Sequence, residues 1–290
     1  MRALILGGGG QLAAELESLL GTNARAFTHA ELDICDRAAL DSAYEAVAPD
    51  VVLNCAAFHN VDVCEREREL AWKINVEAVQ DLAQRQVPLV HVSTNYVFDG
   101  RREEPYGEHD LPSPRSVYAL TKLAGEYAGL AYGTRTLVVR TAGLYGLSGS
   151  ASKGGNFVQR MLARARAQGH LRMVADQRLQ PTFTADLASA MLAAVRREAS
   201  GVVHLTAAGA CSWYEFTEAI MELAGVEVQI EPVATEVPQG GVDRPLNGVL
   251  QRPRADSLAL PALRTWREAL ADYMSRAGLI ADETTVGGAA

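Results

Sequence analysis

A chain of 290 residues, 48% hydrophobic and 21% charged, has an ordinary globular composition with ample material for a core. Its formal net charge of −8, with no basic stripe, excludes a general nucleic-acid binder, though local arginines or a helix N-terminus can still hold an anionic small ligand. Cys35, Cys55, Cys64 and Cys211 show neither CxxC spacing nor a disulfide framework, so reduced thiols are expected. No apolar run is long enough to span a bilayer and no signal-peptide region opens the chain, which leads us to expect a soluble cytoplasmic protein. The histidines show no metal-ligand spacing, and no metal site is expected.

The chain opens with the apolar run "RALIL", four glycines and the helically spaced "QLAAELESLL". Strand "ARAFT" and helix "RAALDSAYEAVA" follow, then strand "PDVVLNCAA" and one long helix through "ELAWKINVEAVQDLAQRQ". Next come strand "PLVHVST", helix "SVYALTKLAGEYAGLAY" and strand "TRTLVVRTAGLYG". Apolar strands alternating with helices predict an α/β fold, a Rossmann-like doubly wound parallel sheet covered on both faces. After Gly146 the rhythm changes. The small-residue loop "LSGSASKGG" reads as a candidate lid, and helices at "NFVQRMLARARAQG", "ADLASAMLAAVRR", "SWYEFTEAIMELAG" and "LRTWREALADYMSRAG" follow. Strands at "LRMVAD" and "GVVHLTA" and a Pro- and Gly-rich stretch at 231–253 complete this part, and the tail "DETTVGGAA" reads as frayed. Such irregular material suits a smaller C-terminal substrate-binding domain closing over the carboxyl ends of the strands.

The turn Gly7-x-x-Gly10-x-x-Ala13 lies between a strand and a helix, the context a dinucleotide-binding fingerprint requires. Its glycines permit positive φ and close approach, and the helix N-terminus offers N–H groups to a pyrophosphate. Residues 1–150, with roughly 176–208, therefore read as an NAD(P)-binding domain; roughly 151–175 and 209–290 read as the substrate-binding domain. At the end of the second strand, "FTHAEL" has no acid at the position that often selects NADH, and no arginine follows to hold a 2′-phosphate. Glu31 and Asp33 lie nearby, and the choice between NADPH and NADH stays open, leaning to NADPH or dual use.

The chain has only three lysines, and Lys122 stands one helical turn from Tyr118 in "YALTK". Positions i and i+4 share a helix face. Ser93 and Thr94 end a core strand at the sheet edge where ligands bind. Reducing a ketone by hydride transfer builds charge on oxygen, and a phenol can protonate it. Lys122 would lower the phenol's pKa toward working pH and meet cofactor ribose hydroxyls, while Thr94 would hold the carbonyl oxygen.

These motifs resemble the extended short-chain dehydrogenase/reductases. More narrowly, "GQLAAEL", "LDICD", "NCAAFHNVDVCE", "VSTNYVFDG", "YALTKLAGE", "RTAGLYG", "SWYEFTEAI" and "LRTWREALADYM" resemble the dTDP-4-dehydrorhamnose reductase family across residues 1 to about 275. The resemblance implies NADPH- or NADH-dependent reduction of the 4-keto group of dTDP-4-dehydro-6-deoxy-L-mannose to dTDP-L-rhamnose, a precursor of cell-surface polysaccharide. It implies Thr94, Tyr118 and Lys122 as the catalytic trio. Cofactor contacts would come from Gly7, Gly10, Gln11, Leu12, Asp33, Ile34, Ala56, Ala57, Phe58 and Val92, with Tyr118 and Lys122. The dTDP-sugar substrate would meet Thr94, Asn95, Asp62, Gly143 and Arg178. Two positions depart from the family: members often have aspartate where Asn95 stands, and several have tryptophan at Gly143. Both bear on which sugar is bound. Other readings stay open: a reductase of another 4-keto nucleotide sugar, a sugar-nucleotide epimerase or dehydratase, or a non-catalytic NADP-binding subunit resembling the methionine adenosyltransferase beta subunit. No nucleic-acid or membrane partner is expected, and a homodimer is possible. Asp62 reads equally as a helix N-cap, Asn75 as a mid-helix amide bonding a strand, and Trp213 and Tyr214 as core.

Overall fold

A computed structural model describes residues 1–148, 155–236 and 241–280. The middle of the candidate lid, with Lys153, and the tail read as frayed fall outside these residues. In chain order the first elements are β1 (Ala3–Leu6), α1 (Gln11–Leu20), β2 (Ala24–Phe27), α2 (Arg37–Val47), β3 (Val51–Asn54), α3 (Val61–Arg66), α4 (Arg68–Trp72) and α5 (Ala78–Gln84). Then come β4 (Leu89–Thr94), α6 (Val117–Tyr132), β5 (Thr136–Thr141), β6 (Leu144–Tyr145), α7 (Phe157–Gln168), β7 (His170–Val174), β8 (Arg178–Leu179) and β9 (Thr182–Phe183). The last are α8 (Thr184–Arg196), β10 (Gly201–His204), β11 (Cys211–Ser212), α9 (Trp213–Ala224), β12 (Gln229–Val233), α10 (Pro253–Ser257) and α11 (Trp266–Arg276).

Six strands form a parallel sheet in the order β10-β5-β4-β3-β1-β2. Successive strand residues face opposite sides. Ala3 and Ile5 pack with Leu53, Val139, Leu16 of α1 and Leu187 and Met191 of α8. Leu4 and Leu6 turn the other way, onto Leu40 of α2 and Val79 and Leu82 of α5. Apolar residues at every strand position are thus what a sheet covered on both faces demands. The chain leaves β1 for β2 on one side and β3 on the other. The resulting switch point puts a crevice at the carboxyl ends of β1 and β3.

A further core gathers Tyr145, Met161, Phe183, Phe216, Trp266, Leu270 and Tyr273 from the later elements. Capping boxes start three of its helices: Asn156 with Gln159, Ser212 with Glu215, and Thr265 with Glu268. Part of the Pro- and Gly-rich stretch is a strand, β12, paired in parallel with β7.

The single long helix expected over "ELAWKINVEAVQDLAQRQ" is interrupted. A π turn at Lys73–Glu77 separates α4 from α5. Among the described residues no helix is long and apolar enough to cross a membrane.

Candidate active site

The glycine turn has the shape a pyrophosphate needs. Gly7 and Gly9 take φ of 85° and 76°, in the left-handed region where a side chain is strained. A β-carbon on Gly7 would come within 2.8 Å of the Ala56 nitrogen, so the turn lies directly against the loop after β3. Gly10 is the N-cap of α1 and has no side chain to occupy the N–H groups at the helix start. These residues fit a bound dinucleotide.

Across the crevice, β4 ends at Thr94 and α6 begins one residue before Tyr118, its N-cap Ser116 accepting from the Ala119 N–H. The Thr94 and Tyr118 hydroxyls hydrogen-bond. Tyr96 sets its ring edge-on to Tyr118, with centroids 5.9 Å apart, and fixes the phenol's tilt. Lys122 is 2% exposed, and its Nζ donates to the Val92 carbonyl at 2.7 Å and lies 3.1 Å from His91 Nε2. His91 is itself held from behind, its Nδ1 lying 3.2 Å from the Asn54 amide nitrogen. The Asn54 oxygen accepts from the Ala56 N–H, which orients that amide. Below Lys122, Glu126 pairs with Arg140 at 2.7 Å and accepts from Ser93, with both charged groups buried.

Burial sets the acidities here. It pulls Lys122 down to about 8 against the opposing pull of Glu126, and pushes Tyr118 up to about 12 against the Thr94 hydrogen bond. His91 is held well below the usual imidazole range by burial and by Lys122. The expected lowering of the Tyr118 pKa by Lys122 is therefore absent from this arrangement, because the ammonium is directed at Val92 and His91.

One cavity of about 440 Å³ joins these groups. Of the residues singled out in the sequence, Gly10, Gln11, Leu12, Ala57, Val92, Thr94, Asn95, Tyr118, Lys122, Gly143 and Arg178 line it. Gly143 does so at φ 56°, where a β-carbon would sit 3.1 Å from Leu179 and Pro181, so a tryptophan here would have to adopt a left-handed backbone. Gly7, Asp33, Ile34, Ala56, Phe58 and Asp62 are not among its lining residues. Ile34 is 6% exposed and packs into the core beneath α2 instead of presenting its side chain. Asp33 accepts from the Cys35 N–H, and the Phe58 backbone N–H and carbonyl are both bonded by the Asn75 amide. Asn75 thus braces a loop and, through Thr121, α6, where a strand partner was expected. Asp62 is neither a lining residue nor a cap: Asn60 caps α3, and the exposed Asp62 pairs with Arg244 at 2.9 Å.

One feature escaped the sequence reading, and another, the nearby Glu31, takes a definite place. Trp213, taken as core, lines the cavity with Phe157, their rings 4.5 Å apart, and Arg160 lies beside them. Glu31 reaches back to the tip of β2 and accepts from both the Thr28 N–H and hydroxyl at 2.9 Å. An acid therefore does stand beside the glycine turn, which the Gly8 N–H ties to the Phe27 carbonyl at 2.7 Å.

The dTDP-4-dehydrorhamnose reductase of Streptomyces griseus is 38% identical, covering 93% of this chain and 92% of that protein. The dTDP-4-keto-6-deoxy-D-glucose reductase of Streptomyces niveus is 36% identical over 93% of this chain and 95% of its own length. The crystal structure of dTDP-4-dehydrorhamnose reductase from Bacillus anthracis in complex with NADP superposes with a TM-score of 0.88 at 31% identity, covering 95% of this chain and 99% of that one. The family described as RmlD substrate binding domain matches residues 1–278, and the chain belongs to it.

Proposed function

We propose that the protein is an NAD(P)H-dependent reductase that converts dTDP-4-dehydro-6-deoxy-L-mannose to dTDP-L-rhamnose. The observation that carries this reading is the convergence of Thr94, Tyr118 and Lys122 on one cavity beside an uncapped helix N-terminus behind a glycine turn. In this reading the N–H groups of Gln11 and Leu12 face the pyrophosphate, and the free side of the Lys122 amine meets ribose hydroxyls. When bound, the reduced dinucleotide supplies the hydride to the keto carbon. Thr94 donates to the carbonyl oxygen as charge builds there, and Tyr118 transfers its phenolic proton to that oxygen, completing the alcohol. A phenol whose pKa is about 12 stays protonated through the neutral range, the form a reduction needs. Phe157 and Trp213 offer the nucleobase an aromatic wall, and Arg160 and Arg178 face the diphosphate.

The same reading assigns residues 1–150 and roughly 176–208 to cofactor binding, and roughly 151–175 and 209–290 to the sugar nucleotide. A cytoplasmic setting and a homodimer belong to it as well. A different 4-keto sugar is the second reading, and Gly143, a departure lining the cavity, favours it together with the 36% identical Streptomyces niveus relative named for another sugar.

The test is loss of reduced-dinucleotide absorbance when NADPH or NADH meets dTDP-4-dehydro-6-deoxy-L-mannose, with the product identified by NMR. Turnover is expected, and Tyr118→Phe is expected to lose it by about 10²–10⁴-fold while still binding dinucleotide. A Tyr118→Phe enzyme within a few-fold of wild type would remove the proposed acid. Turnover only of another 4-keto nucleotide sugar would move the substrate and keep the chemistry.

A further inference from the structure

We infer that Asn95 is a positioning residue that links the end of β4 at Thr94 to the segment closing the sugar end of the cavity, and that its amide nitrogen is not offered to substrate. Asn95 is 6% exposed. Its Nδ2 donates to the Gly248 carbonyl at 3.0 Å, and its Oδ1 accepts from the Thr94 hydroxyl at 3.4 Å. The amide nitrogen is therefore committed within the protein, to a partner 153 positions away, while Oδ1 stays within reach of the Thr94 hydroxyl.

That partner belongs to a strap, residues 241–250, which returns from the later core to the loops around the site. The Arg178 N–H donates to the Leu246 carbonyl at 2.7 Å, and the Gly248 N–H donates to the Arg178 carbonyl at 2.8 Å. Asn247 donates from its backbone to the Gly100 carbonyl and from its side chain to the carbonyls of Arg102 and Glu103, all at 2.9 Å. Pro245 and Gly248 then form cavity wall beside Asn95. A β-carbon at Gly248 would collide with the Asn95 amide nitrogen, so the close approach needs glycine there.

The amide also accounts for the departure from aspartate. A carboxylate has no proton to give to the Gly248 carbonyl and would set two acceptor oxygens against each other. Only a protonated aspartic acid could make the bond.

The inference deepens the reductase reading, and its test separates the two. Full-length wild type, Asn95→Ala, Asn95→Asp and Gly248→Ala would be compared in sugar KM, in NADPH dissociation constant, and in hydrogen exchange of the amides of residues 246–249. Asn95→Ala and Gly248→Ala are expected to raise sugar KM by about tenfold, the equivalent of one hydrogen bond. NADPH affinity should hold, and strap exchange should quicken. Asn95→Asp should approach wild type in mildly acidic buffer, and its sugar KM should rise toward neutral pH, a trend absent in wild type. Equal losses of sugar and NADPH affinity, unchanged strap exchange, or a pH-independent Asn95→Asp would each overturn the inference. If wild type ignores this sugar yet strap exchange quickens in Asn95→Ala, the substrate reading fails and the positioning role stands.

Discussion

Lys122 shows what the site costs a single residue. It is buried and its pKa falls from 10.5 to about 8, so the folded protein holds this proton less tightly than the unfolded chain does. Between about 8 and 10.5 the unfolded state binds more protons, and this residue makes stability rise with pH across that window. Activity should run the other way. kcat/KM for the reduction is expected to fall as pH rises through about 8, as the ammonium proposed to meet the ribose hydroxyls is lost. Lys122→Met removes the buried charge, so calorimetry at neutral pH should show a melting temperature no lower than wild type, with NADPH binding weakened about tenfold, the equivalent of one hydrogen bond. A Lys122→Met enzyme that melts much earlier would show that the ammonium stabilises the fold. The Tyr118–Lys122 spacing was legible because a helix turn is a local fact. The His91 and Asn54 brace behind it was not, since those residues come from two other strands and no pattern in either links them.

Among the elements, the π turn at Lys73–Glu77 is the clearest departure from the periodic reading. The apolar spacing of a π turn differs by one residue from that of an α-helix, too little for a pattern count to detect. Its effect is felt on α6. The Asn75 carbonyl presses on Gly125, where a β-carbon would drive into it, so the two helices meet at backbone distance. Gly125→Ala is expected to cost about 1–3 kcal/mol as overpacking, read as a lower denaturation midpoint. Because α6 carries Tyr118 and Lys122, kcat should fall as well, and a variant with full stability and activity would show that the contact relaxes freely. The glycine turn, by contrast, could be read directly: positive φ and an uncapped helix start follow from the residue types themselves.

In the whole molecule, the alternation of strands and helices was enough to predict a parallel sheet with two covered faces, since each strand had to be apolar throughout. The return of residues 241–250 to the site could not be read. A segment rich in proline and glycine carries no periodicity, and its anchors are single hydrogen bonds to residues far away in the chain. The chemistry and the strap are consequently separate pieces of polypeptide. Thr94, Tyr118 and Lys122 stand on β4 and α6, while the strap is held by Asn95, by backbone bonds and by surface ion pairs such as Arg244–Asp62 and Arg115–Asp243. A change within those ten residues can therefore reshape the cavity wall beside Asn95 without altering the elements that carry Thr94, Tyr118 and Lys122.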